Sequence, residues 1–169
     1  LQEGLRLKQQ HVDVVIGYLE PHDRPETMAL AEHLETAPPR EWRVGDAVFH
    51  EMDVEAILAR KPQVVLVDEL AHTNADGSKN DKRYSDVLEV LAQGINVIST
   101  INVQHLESVA ARVEEATGIA VRERIPDTVL RRADQVVNVD VTKEELRERL
   151  RQGKIYAPQQ AERALSSFF

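Results

Sequence analysis

Cysteine is absent from the 169 residues, so no disulfide framework and no thiolate metal site can form. Aromatic residues make up only 4%, too few for the stacking platforms that hold single-stranded nucleic acid. No apolar run approaches the ~20 residues needed to span a bilayer, and no secretory-signal pattern opens the chain. Basic residues are in the minority, 21 Lys and Arg against 29 Asp and Glu, for a formal net charge of −8. A general nucleic-acid binder would instead show a basic face. Nucleotides stay open as ligands, because Mg²⁺, backbone amides and a few cations can meet phosphate charge locally. No repeat, low-complexity tract or linker divides the chain, and its length suits one domain over residues 1–169. Residues 1–10 (LQEGLRLKQQ) read as a helix already under way, with no capping residue before them. The domain is therefore expected to begin upstream of Leu1.

Strand and helix patterns alternate along the sequence. Strands are expected at residues 12–19, 64–67, 95–101, 119–124 and 135–139. A helix should open at Pro25-Glu26-Thr27 and run to about Glu35, with Pro in its first turn. Residues 36–46, with Pro38-Pro39, read as a loop enclosing at most a short extended piece. Asp53 can cap a helix that stops before Pro62, and Asp81 can cap another that Gly94 ends. Residues 103–117 read as a helix closed by Gly118, and 126–132 as a short one. Thr142 and Glu145 form a capping box for a helix reaching Gln152, and residues 161–168 mark a last amphipathic helix. This alternation predicts an α/β fold: a doubly wound, mostly parallel sheet with helices on both faces, similar to P-loop nucleotide hydrolases.

The most informative stretch is residues 64–74, VVLVDELAHTN. Its four apolar residues suit a strand buried on both faces of a parallel sheet. They run directly into Asp68 and Glu69, at the strand end where open α/β sheets bind ligands. Four hydrophobic residues followed by Asp-Glu match the Walker B pattern, in which the Asp holds Mg²⁺ and the Glu orients or deprotonates a nucleophile. The bland alternative is a strand that ends in solvent. The Walker A partner, G-x-x-x-x-G-K-[ST], is missing: Gly77-Ser78-Lys79 lacks the first Gly and the leading strand. Residues 1–169 alone are therefore expected to fold but to bind ATP poorly.

Further along, GYLEPHDRPET (17–27), LVDELAHTN (66–74), KRYSDVLEVLAQGINV (82–97), STINVQHLES (99–108), RERIPDTVLRRADQVVNVD (122–140) and LRQGKIYAPQQAERALSSFF (150–169) resemble one family. It is the N-terminal cytoplasmic domain of the KdpD family, the sensor histidine kinases of the Kdp potassium system. The resemblance covers nearly the whole chain. It implies a cytoplasmic domain of an inner-membrane protein, with ATP and Mg²⁺ as ligands and a Walker A segment upstream of Leu1. It also implies an osmosensing two-component system whose partners are other domains of the same sensor and, through the whole protein, a response regulator. A homodimer is compatible with it; nucleic acid and direct membrane contact by this domain are not implied. The phosphoacceptor His core lies elsewhere, so catalysis by this domain is left open.

The candidate site follows from the strand ends. Asp68 is the metal candidate, and Glu69 the base or water-orienting one. Glu20, with His22 and Arg24, ends the first strand and is a second catalytic candidate. His72, Thr73 and Asn74 leave the strand of Asp68, while Ser99, Thr100, Asn102 and Gln104 end the adjacent one; all are candidates for nucleotide contacts. The plain alternatives are loop polarity and helix capping. His22, His72 and His105 lack the local ligand spacing of a zinc site.

Overall fold

The computed structural model describes residues 1–22, 24–45 and 47–152. The chain forms two compact units, Leu1–Ala133 and Asp134–Phe169.

The first unit is built on a four-stranded parallel sheet in the order β2-β1-β5-β6. Its strands are β1 (Val14–Tyr18), β2 (Glu35–Thr36), β5 (Val64–Val67) and β6 (Asn96–Ser99). The strand carrying the acidic pair, β5, lies between β1 and β6, and all four of its residues are buried. Alternation along the strands divides the core. Val14, Ile16, Val64 and Leu66 face one side, with Leu34 and the flanking Leu1, Leu5, Leu7 and Ala31. These come from α1 (Gln2–Gln9), α2 (Pro25–Ala31) and the residues beside them. Val15, Val65 and Val67 face the other side and meet Val54 and Ile57 of α3 (Val54–Arg60) and Val87 and Val90 of α4 (Arg83–Ala92). The sheet is thus parallel, with helices on both faces.

Local signals explain several boundaries. The Asp53 side chain accepts a hydrogen bond from the Ala56 amide at 2.9 Å and caps α3. Gly94 and Gly118 take positive φ where α4 and α5 (Glu107–Thr117) stop.

Other boundaries differ from the sequence expectation, for tertiary reasons. The helix opening at Pro25 ends at Ala31, not near Glu35, because Leu34 enters the core and Glu35-Thr36 pair with Val15 and Ile16 as β2. The extended piece expected within residues 36–46 is β3 (Arg40–Val44), which pairs with the unforeseen β4 (Ala47–Glu51) as a hairpin turning at Gly45 with φ 61°. Its strands carry few buried side chains, so no apolar alternation announced it. Asp81 does not cap α4. Its carbonyl accepts the Asn74 amide at 3.0 Å, and the helix opens at Arg83, whose amide reaches the His72 carbonyl at 3.1 Å.

The expected helix over 103–117 is broken at Leu106 between a 3₁₀ turn (Val103–His105) and α5. Leu106 is extended there because it bridges Ile125: the Ile125 amide donates to His105 and the Glu107 amide to Ile125. No strand forms at 119–124. The Val121 amide instead donates to Glu114 Oε1 at 2.7 Å, and the Ile119 amide to Thr117 Oγ1 at 3.2 Å. A four-residue helix, α6 (Asp127–Leu130), follows.

In the second unit, residues 135–139 are exposed coil rather than a strand, with Val139 86% exposed. β-branched composition alone does not make a strand without a neighbour to pair with. Thr142 accepts from the Glu145 amide at 3.1 Å and caps α7 (Lys143–Arg151), as the capping box predicts. The helix expected over 161–168 lies outside the described residues. Among the described residues no helix is long and apolar enough to cross a membrane.

Candidate functional site

Parallel strands end on one side, and here β1, β5 and β6 end around a crevice of about 560 Å³. Glu20 and His22 come from the end of β1, Asp68 and Glu69 from β5, and Thr100 and Asn102 from β6. Leu1, Gln2 and Glu3, at the start of α1, line the same space. Glu3, Glu20, Asp68, Glu69 and Glu123 outnumber Arg24 along the walls, so the crevice is acidic.

Asp68 is the hub. One carboxylate oxygen accepts from the Thr100 hydroxyl and from the Glu69 amide at 3.1 Å. The other accepts from the Glu20 amide at 3.4 Å. Three strand ends are thereby tied to one side chain. A bulge makes this register possible: the pairing of β1 with β5 shifts between Ile16 and Tyr18, bringing Tyr18 opposite Val67. Gly17 occupies the bulge, where an added Cβ would lie 2.6 Å from Val65 Cγ1.

Glu69 takes φ 53° and His22 φ 48°, both in the left-handed region, and their side chains meet at 3.2 Å. The second Glu69 oxygen lies 3.9 Å from Arg83 Nη1.

Other sequence candidates point elsewhere. Ser99 donates its hydroxyl to the Val67 carbonyl at 2.7 Å. Gln104 is exposed on the 3₁₀ turn and does not line the crevice. Thr73 pairs through its hydroxyl with Lys82, and its amide donates to Glu123. Asn74 is buried and donates to Asp86 at 2.6 Å and to the Asn80 carbonyl at 2.9 Å. His72 lies between Glu51 Oε1 at 3.2 Å and Glu123 Oε1 at 3.7 Å, its ring stacked near Tyr18. Among the described residues no group of three or more His, Cys, Asp or Glu side chains is arranged to hold a metal by itself.

Behind the crevice lies a cluster that sequence reasoning missed. Arg83 has no solvent exposure. Its Nη2 donates to Glu51 Oε2 at 3.0 Å and its Nη1 to the Asp68 carbonyl at 3.4 Å, while its guanidinium lies 3.6 Å from the Tyr18 ring centroid. Burial pushes the Tyr18 hydroxyl up from its ordinary pKa. Burial also pushes the Glu51 carboxyl upward, but the His72 hydrogen bond and charge, the Ala75 amide and Arg83 outweigh it, leaving Glu51 below the usual range. Neither Arg83 nor Glu51 belongs to a recognisable motif in the sequence. No linear signal pairs them.

Fold and site together define a parallel α/β domain with an acidic crevice at its strand ends. A family described as osmosensitive K⁺ channel His kinase sensor domain, KdpD, matches residues 1–169. Proteins named sensor protein KdpD from Mycobacterium tuberculosis (strain H37Rv) and Escherichia coli (strain K12) are 52% and 46% identical over all of this chain. A relative in Synechocystis sp. is 54% identical over all of it. The chain spans 46% of the length of the Synechocystis relative and about one fifth of the other two, at 20% and 19%. The chain belongs to the KdpD sensor-domain family.

Proposed function

We propose that this domain binds Mg²⁺-ATP in the strand-end crevice and acts as the nucleotide-responsive part of a two-component potassium sensor kinase. Occupancy would bias the balance between kinase and phosphatase activity through differential contacts with the other domains of the same sensor. It would act, through the whole protein, on a response regulator. The observation that carries this reading is the convergence of Asp68, Glu69 and Thr100 on one acidic crevice.

The residues fit the metal half of such a ligand. Mg²⁺ is usually held by one or two carboxylates together with phosphates and several waters, not by an all-protein cage. Asp68 beside the Thr100 hydroxyl suits that pattern. The bound ion would supply charge neutralisation between phosphates. The opening turn of α1 lines the same space, and a helix N-terminus favours anions. Arg24 and Asn102 also line the crevice and would offer further polar groups to the phosphates. This is the Walker B role of P-loop proteins, carried over to Asp68 and Glu69.

Calorimetric titration of Mg²⁺-ATP into the whole sensor and into this chain, each as wild type and as Asp68→Asn, tests the reading. Wherever wild type binds, Asp68→Asn should weaken Mg²⁺-dependent affinity by roughly tenfold or more, the loss of one charge-assisted contact at about 1.5–3 kcal/mol. Equal affinities would move the site elsewhere, and no binding by either form would favour a nucleotide-free docking module. Phosphate release in the same samples separates regulation from turnover with Glu69 or Glu20 as base.

A further inference from the structure

Arg83 is a single buried cation standing between two carboxylates on different elements. Glu51 ends β4 of the hairpin, and Glu69 faces the crevice. With no solvent exposure, the guanidinium depends on these carboxylates and on the Asp68 carbonyl, and its Nε has no hydrogen-bond acceptor among the described residues. Glu51 is committed in turn. Its Oε1 accepts from the Ala75 amide at 2.8 Å and from His72, so this carboxylate fastens the hairpin to the loop after β5. Tyr18, which lines the crevice, covers the guanidinium face.

We propose that Arg83 is a buried latch coupling the charge at Glu69 in the crevice to the seating of the β3–β4 hairpin through Glu51. A cation arriving in the crevice competes with Arg83 for the Glu69 carboxylate. Arg83 is then left to Glu51 and the Asp68 carbonyl, and its grip on the hairpin changes. The coupling is reciprocal: whatever loosens Glu51 alters cation affinity at Glu69. The hairpin is thereby a readout of crevice occupancy.

The chain carries its own reporter. Trp42 is the sole tryptophan and belongs to β3, with its ring edge 3.7 Å from the Cβ position of Gly77 in the loop. The test is a double-mutant cycle in the full chain between Glu69→Gln and Glu51→Gln, read by Trp42 fluorescence and by hydrogen exchange of the β3–β4 amides. Glu69→Gln does not touch the hairpin, yet it should change hairpin exchange by about fivefold or more, the lower end of typical coupling strengths. In the Glu51→Gln background that effect should vanish. Glu3→Gln, which removes a crevice charge paired with Arg6 and not with Arg83, should leave the hairpin unchanged. Additive effects in the cycle, or an equal response to Glu3→Gln, would overturn the latch.

A ligand arm rests on the nucleotide reading above. Mg²⁺-ATP binding seen by calorimetry should be accompanied by a Trp42 change that Glu51→Gln abolishes. Heat without that change overturns the latch and spares the nucleotide reading. Absence of heat in the whole sensor counts against the nucleotide reading alone, and the cycle still decides the latch.

Discussion

Glu51 shows how one side chain sets a pH dependence. Its carboxyl is held below its ordinary value of 4.5, despite burial, by His72, the Ala75 amide and Arg83. A carboxyl whose folded pKa is depressed contributes stability that is fully present above the unfolded value and is lost as pH falls through the folded one. Asp86 acts in the opposite sense. Burial raises it above 3.8 against the hydrogen bonds from Asn80 and Asn74, so its contribution weakens as pH rises through its folded value. The acid limb of stability therefore reflects a partial cancellation. Urea denaturation of wild type and Glu51→Gln between pH 3 and 6 should show a shallower acid limb in the variant, with the stability gap widest near pH 6. An unchanged limb would mean that Glu51 is not held as the geometry indicates.

Among the elements, β1 is the one whose shape depends on a single small residue. Gly17 sits in the bulge against Val65 and Ile57, and an added Cβ would lie 2.6 and 3.0 Å from their methyl carbons. Both contacts are in the packed layer under α3, where neighbours have little room to give. Gly17→Ala should destabilise the fold by about 1–3 kcal/mol, the cost of overpacking a well-filled core. It should also disturb Tyr18 and, through it, the crevice. Thermal melts measure the first effect, and the near-ultraviolet signal of the tyrosines the second.

At the scale of the whole molecule, the described residues that build the sheet and line the crevice all belong to Leu1–Ala133. A chain ending at Ala133 should therefore keep a cooperative melt and a parallel-sheet circular dichroism spectrum. Loss of cooperativity would show that Asp134–Phe169 is needed to complete the fold.

The sequence by itself determined the parallel sheet around β5, because an unbroken apolar run ending in two acids has few other stable placements. It also determined the meeting of Asp68, Glu69, Thr100, Asn102 and the start of α1, since strand ends in a parallel sheet share a side. Caps at Asp53 and Thr142 were legible because capping is local. Only the tertiary structure decided the rest. The hairpin and β2 are exposed and short, so their pairing leaves no apolar period to read. Residues 119–124 and 135–139 have strand composition but no strand neighbour. Arg83 meets Glu51 across 32 positions of sequence, and their value to each other lies in shared burial, which no linear pattern encodes.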